Sequence, residues 1–256
     1  MQKLTIVKVG GKVVEEPASL QALLKDFARL PGNKMLVHGG GRSATRLSEQ
    51  LGIKANMYEG RRITDQATLE VVTMVYAGLV NKNIVAALQA LNINALGFSG
   101  ADLNLIKAVK RPVSTIDYGF VGDVVSVQTE VAAGLIAQGV VPVVSPITHD
   151  GLGQLLNTNA DTIAAELAMA MTSDFEVHVV YCFEKPGVLF DADDDNSVIN
   201  ILDYNLFKEY QSTGVISEGM IPKLDNGFSA LRRKVKTVRI TNTQGITTDS
   251  GTHLTL

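Results

Sequence analysis

The chain has 256 residues, 46% of them apolar and 19% charged. That suffices for one large α/β domain or two lobes with a sizeable core, and is too apolar for a disordered chain. A net charge of −3 offers no basic excess for nucleic acid or an anionic membrane, and 5% aromatics without Trp leave little to stack unpaired bases.

Apolar strands alternate with amphipathic helices almost throughout, the pattern of a mostly parallel sheet covered on both faces. Thr5 to Val9 reads as a buried strand that runs into Gly10-Gly11-Lys12. Leu20, Leu23, Leu24, Phe27 and Leu30 recur at helical spacing, and Pro31-Gly32 ends that helix. Met35 to Val37 is the next strand, followed by His38-Gly39-Gly40-Gly41 and a helix over Ser43–Leu51. Thr64 or Asp65 is suited to cap a long helix from Gln66 to about Leu91, and Ala95 to Phe98 is a short strand. Ile106 to Gln128 reads as hairpins on one edge. Thr129 is expected to cap a helix to about Gln138. Val140–Val144 reads as a strand in which Pro142 lacks a donor. A polar stretch, Gln154–Asp161, leads into a helix over Thr162–Met171, and Val177–Phe183 is a strand. Helices over Asp203–Gln211 and Met220–Arg233 and a strand at Val238–Ile240 follow. A lobe boundary falls near Met171–Phe175.

Cys182 is the only cysteine, so no internal disulfide forms, in keeping with a reducing cytosol. No secretory leader and no apolar run long enough to cross a bilayer is visible. A cytoplasmic protein with neither membrane nor nucleic-acid partners is expected.

Several stretches carry chemistry only in combination. Lys8-Val9-Gly10-Gly11 joins a cation to backbone donors freed by glycine, which is either a phosphate seat or an ordinary strand-ending turn. Gly39-Gly40-Gly41 matches neither the dinucleotide fingerprint nor the P-loop, and is either a tight turn or a close approach to an anion at a helix N-terminus. Arg62 can clamp a carboxylate or sit in solvent. Asn157-Thr158-Asn159-Ala160-Asp161 places two amides and a carboxylate at a helix mouth, more than one cap requires. Lys223, read alone, is a solvated helix residue. Asp191, Asp193 and Asp195 alternate like a calcium loop, but Asn196 and Leu202 stand where its glycine and bidentate glutamate belong, so this is a solvated loop. The four histidines show no metal-ligand spacing, and no metal site is expected.

These stretches stand in one order. Lys8-Val9-Gly10-Gly11, His38 to Gly41, Gly60-Arg61-Arg62-Ile63-Thr64, Asn81-Lys82, Phe120-Val121-Gly122, Asn157 to Asp161 and Gly219-Met220-Ile221-Pro222-Lys223 run nearly end to end as in the amino acid kinase family, which the chain resembles, most of all its members that phosphorylate N-acetylglutamate. The resemblance implies a three-layer αβα sandwich with a central, mainly parallel sheet and two lobes. Residues 1–172 would hold the acylated amino acid and the dimer contact, and residues 173–256 would hold ATP. It implies transfer of the γ-phosphoryl group of ATP to the side-chain carboxylate of N-acetylglutamate in arginine biosynthesis, with Mg2+ carried on the nucleotide phosphates. Lys8 and Lys223 are then expected on the phosphoryl group in transit, with Asp161 orienting them. Gly40, Gly41, Arg62, Asn157 and Asn159 would contact the acylamino acid. Gly10, Gly11, Cys182, Gly187, Ile216, Ser217 and Met220 would contact the phosphates or the nucleotide.

The chain departs from the family pattern in two places. Tyr181-Cys182-Phe183-Glu184-Lys185-Pro186-Gly187-Val188 lacks the usual Asp after the strand, and Ser99–Asn104 is less glycine-rich. The second departure leaves room for a larger acyl group such as succinyl, and the first for a catalytically silent ligand-binding protein. Because the first strand begins almost at Met1, without the additional N-terminal helix of arginine-inhibited members, a homodimer that arginine does not inhibit is expected.

Overall fold

Lys8 lies on the central strand of an eight-stranded sheet. The computed structural model describes residues 1–58, 61–216 and 219–256, so Gly60 and Ser217 lie outside the described residues. The strands are β1 (Gln2–Val9), β2 (Asn33–His38), β3 (Ala95–Phe98), β4 (Val141–Val144), β5 (Phe175–Cys182), β6 (Ile201–Asp203), β7 (Thr237–Thr241) and β8 (Thr252–Thr255). They lie in the order β6-β8-β7-β5-β1-β2-β4-β3. The β7–β8 pair is antiparallel and the other pairs are parallel. From β1 the chain passes to β2 on one side, and it returns on the other side as β5. The strand order therefore reverses at β1, and the carboxyl ends of β1, β2 and β5 are where such a sheet opens a binding crevice.

The alternation of β1 divides the core. Leu4 and Ile6 face the helices Ala160–Met171 and Ile221–Arg232 together with Met35, Val179 and Tyr181. Val7 and Val9 face the opposite layer with Leu23, Phe27, Val72 and Ile84. Both faces of the sheet are thus covered, giving the three layers expected.

The helix Pro17–Arg29 carries Pro17 in its first turn, where a missing N–H costs nothing. The long helix Gln66–Gln89 begins at Asp65, whose carboxylate accepts from Thr68 N at 2.8 Å, and its middle, Met74–Val80, is wound as a π-helix. This helix has 24 residues and contains an 18-residue window of mean hydropathy 1.5, a length and composition that the core helix of a globular protein shares with a membrane span. Its apolar side, with Leu69, Val72, Ile84 and Leu88, nevertheless lies in the core.

Other expectations shift by a few residues for local reasons. Thr129 is the first residue of its helix, and Gln128 holds the cap position without a side-chain bond. Pro142 lies inside β4, but β4 pairs with β2 only at Val143 and Val144, so no ladder bond to β2 needs its missing N–H. The polar stretch after Gln154 contains a strand, Leu155–Asn157, which joins Ile147–His149, Ile106–Lys110 and Gly122–Val127 in a four-stranded sheet. Its three-residue length hides any period. The acidic loop is held by its own turns: Asp193 N donates to Asp191 Oδ1 at 3.0 Å, and Lys185 pairs with Asp195 at 2.8 Å.

Candidate active site

The period of two that buries Leu4 and Ile6 also directs Lys8 toward the start of the helix Ala160–Met171. Asp161 stands in that first turn. Asn159 caps the helix, its Oδ1 accepting from Asp161 N at 2.7 Å and from Thr162 N at 3.2 Å. Lys8 Nζ lies 2.7 Å from Asp161 Oδ1, and Lys223 Nζ, from the facing helix, lies 3.2 Å from Oδ2. Side-chain exposure is 7% for Lys8 and Asp161 and 19% for Lys223. Tyr181 supports the cluster from β5 by donating to Asp161 O at 3.3 Å.

Burial alone would raise the Asp161 carboxyl, but the two ammonium groups outweigh it and hold the carboxyl below its usual range. Lys8 is lowered, by burial first and by Lys223 in the same direction, against the pull of Asp161. Two cations share one carboxylate, so the cluster carries an excess positive charge where little water reaches it. Such a charge is costly unless an anion completes it.

The glycines close around this cluster. A Cβ on Gly10 would overlap Lys8 Nζ, so the ammonium lies across the Gly10 backbone. Gly11 has φ +59°, a left-handed conformation that glycine adopts without strain. Gly39 N donates to Val9 O at 3.0 Å, which brings the turns after β1 and β2 side by side. Gly40 could not carry a side chain, since its Cβ would stand 2.9 Å from the Tyr76 ring. Gly41 meets no protein atom there and opens toward a cavity.

That cavity, of about 390 Å³, is lined by Gly40, Gly41, Arg62, Tyr76, Asn157 and Asn159 among others. Arg62 Nη2 donates to Gly41 O at 2.9 Å and to Thr45 Oγ1 at 2.7 Å, while Nη1 is buried with no partner. Arg62 lines the cavity, and a guanidinium so placed suits a carboxylate clamp. Asn157 Nδ2 donates to Thr64 Oγ1 at 3.0 Å, so the amides of the Asn157–Asp161 run have separate tasks, one spanning to Thr64 and one capping the helix.

A second cavity, of about 210 Å³, lies at the carboxyl end of β5 and takes in Gly187, Ile216 and Met220 together with Phe183 and Glu184. Cys182 is outside its lining. The thiol is buried in the core, where burial pushes it up to about 12. Ser217 lies outside the described residues. A third cleft, of about 460 Å³ near Asn200, Asn242 and His253, touches none of the residues expected to contact substrate, phosphate or nucleotide. It is larger than either of the others, so size alone does not locate the chemistry.

The sequence profile of the amino acid kinase family matches residues 3–242. The chain belongs to the amino acid kinase family. It is 60% identical over 251 residues to a protein of Phocaeicola vulgatus named acetylglutamate kinase, covering 98% of both chains. It is 58% identical over 253 residues to an acetylglutamate kinase of Bacteroides fragilis, covering 99% of this chain and 97% of that one. Among solved structures, smu.665 from Streptococcus mutans UA159 shares the amino acid kinase fold with a TM-score of 0.82 at 23% identity, over 98% of each chain.

Residues that sequence reasoning missed are Tyr76, which packs on Gly40, and Arg111 and Tyr118, which line the larger cavity. Arg111 forms a bidentate pair with Asp123, with Nη2 2.6 Å from Oδ1. The only signal for these lay in residue types common on any surface.

Proposed function

We propose that the chain transfers the γ-phosphoryl group of ATP to the side-chain carboxylate of N-acetyl-L-glutamate, giving N-acetylglutamyl 5-phosphate in arginine biosynthesis. Relatives at 58–60% identity bearing that activity in their names support the reading. The observation that carries it is the Lys8–Asp161–Lys223 cluster, with its excess positive charge between two glycine turns and beside a cavity lined by Arg62.

The acceptor carboxylate is already ionised at neutral pH, so no general base is needed. The obstacle is the meeting of negative charges in an in-line transfer, where positioning and electrostatic stabilisation supply the catalysis. In this reading Lys8 and Lys223 bear on the phosphoryl oxygens, and Asp161 orients both ammonium groups. The N–H groups of Gly10, Gly11 and Gly40 add donors. Arg62 and Asn157 grip the α-carboxylate and acylamino group in the larger cavity, with Gly41 and Asn159 beside them. The nucleotide lies along Gly187, Ile216 and Met220. Among the described residues no three His, Cys, Asp or Glu side chains converge as a cage. This donor set suits Mg2+ carried mainly on the nucleotide phosphates, where it would neutralise their charge.

The division at 172/173 belongs to the same reading. The smaller cavity is lined wholly by residues after 173, and the larger mostly by residues before it, with Ile221, Pro222, Asp225 and Asn226 reaching across. A cytoplasmic homodimer is proposed as the working form. The outer side of the Gln66–Gln89 helix supports this, where Met74 and Leu79 are 51% and 54% exposed. Light scattering should return twice the chain mass.

The test is phosphoryl transfer from MgATP to acetylglutamate, succinylglutamate, aspartate and UMP, with acyl phosphate trapped by hydroxylamine and nucleotide product followed for UMP. Turnover is expected on acetylglutamate above the others. No turnover on any acylglutamate overturns the proposal.

A further inference from the structure

Asn81-Lys82 stands among the stretches that carry the family resemblance, yet neither residue lines the cavity. Asn81 is fully buried and His38 likewise, two polar side chains sealed between the sheet and the long helix. Lys82 Nζ donates to Asn81 Oδ1 at 3.0 Å and to Gly97 O at 3.2 Å. With its oxygen taken by an ammonium, the Asn81 amide has only one orientation, in which Nδ2 donates to Val143 O at 3.0 Å and to His38 Nε2 at 3.1 Å. His38 Nε2 is then an acceptor, and its proton resides on Nδ1, 2.8 Å from Gly39 O. A Cβ on Gly97 would strike the Asn81 amide, so this network also accounts for that glycine.

We infer that the Lys82–Asn81–His38 chain positions the Gly39–Gly40 peptide, aiming the Gly40 N–H at the reacting oxygen atoms. The peptide is planar, so a carbonyl held toward the imidazole sends the N–H on its other side away from it. Gly40 precedes the helix Gly41–Gln50, and its N–H belongs to the set that a helix start leaves without intrahelical partners. The Tyr76 ring against Gly40 blocks sideways movement. The side chains of Lys82, Asn81 and His38 line neither cavity. They act through one backbone group, and a preorganised donor is worth most where charge develops.

This inference rests on the kinase reading, and the experiment separates the two. Wild type, Asn81→Ala, His38→Leu and His38→Asn are compared for kcat, for KM of each substrate, for melting temperature and for the ¹⁵N–¹H resonance of Gly40. His38→Asn places an amide N–H near the former Nδ1–H. Asn81→Ala and His38→Leu should lower kcat about 10- to 100-fold with KM changed less than threefold, as for loss of part of an oxyanion donor. Both should shift the Gly40 resonance in the free protein. His38→Asn should recover most of kcat while remaining less thermostable than wild type. If all three variants melt lower but the folded protein keeps wild-type kcat and an unmoved Gly40 resonance, the network is packing only and the inference fails. Wild type inactive on every acylglutamate overturns the kinase reading instead, and the Gly40 resonance still tests the positioning.

Discussion

Asp161 has two sides, and they are built differently. Lys8 reaches it from a central strand held by eight register pairs to β5 and six to β2, and its side chain is 7% exposed. Lys223 reaches it from the first turn of the helix Ile221–Arg232, and is 19% exposed. The same charge is therefore fixed to the sheet on one side and mounted on a separate helix on the other. A strand in mid-sheet cannot shift without breaking its ladders, whereas a helix resting on a layer of side chains can slide. Under the proposed function, the fixed lysine suits a reference point for the transferred group, and the helix-borne lysine suits one that adjusts to it.

Removing the shared partner should have the largest effect. Asp161→Asn leaves two ammonium groups facing one neutral amide, and breaking a buried ion pair costs about 3–5 kcal/mol. Denaturant unfolding should show that loss together with collapse of kcat. Lys8→Ala and Lys223→Ala come next. Each should lower kcat about 10²- to 10³-fold with little change in acylglutamate KM, and the melting temperature should fall further for the more buried Lys8. Equal stability losses would mean that the two sides are not different in kind. Near-normal kcat in either variant would remove its assigned role.

Gly10→Ala tests the fixed side without changing any charge. The new Cβ would overlap Lys8 Nζ, so the ammonium must shift from its place against Asp161 Oδ1. A kcat loss of about tenfold or more is expected, by the same comparison with a misplaced donor, whereas Gly41→Ala meets no protein atom. Gly41→Ala should leave stability nearly unchanged and act on substrate binding, read as KM. If the two variants behave alike, the steric argument for Gly10 fails.

The smallest effect is acid sensitivity, and it distinguishes the cluster from the neighbouring histidine. Burial, against the bond to Gly39, lowers His38 from its ordinary 6.5 to about 4. The unfolded chain therefore takes up a proton first, and stability present above pH 6.5 is lost as pH falls toward 4, by about 3 kcal/mol. Asp161 is also lowered, from 3.8, so its contribution is held above that pH and lost only on further acidification. Unfolding free energy should thus fall in two windows, and His38→Asn should abolish the upper one. A single window below pH 4 in the wild type would contradict the buried neutral imidazole.

Much of this was legible from one dimension. The buried strand over Thr5–Val9 and the glycine turn at His38–Gly41 are local signals, because strand preference and glycine conformation are decided by a few neighbouring bonds. That Asp161 belongs with Lys8 was implied by resemblance, since nothing local links residues 8, 161 and 223. The excess charge that defines the site exists only when strand and helices pack. Other assignments had no sequence signal at all. Gly187 could not be anything else in this fold, because its Cβ would stand 2.8 Å from Thr252 Oγ1 and from Val198 Cγ1, so its identity as glycine does not by itself speak of nucleotide. Asn159 is spent on capping, while Asn157, two residues earlier, reaches 93 residues back to Thr64.

The sequence by itself determined the layered αβα architecture, the glycine turns after β1 and β2 and the residue types that can meet a phosphoryl group. These follow from spacing and from the conformational limits of each residue. Tertiary structure alone decided which lysines share a carboxylate, which guanidinium nitrogen stays unpaired, and which tautomer His38 adopts beside Asn81. Those are matters of burial and of angstrom distances between residues far apart in the chain, and no pattern along the chain encodes them.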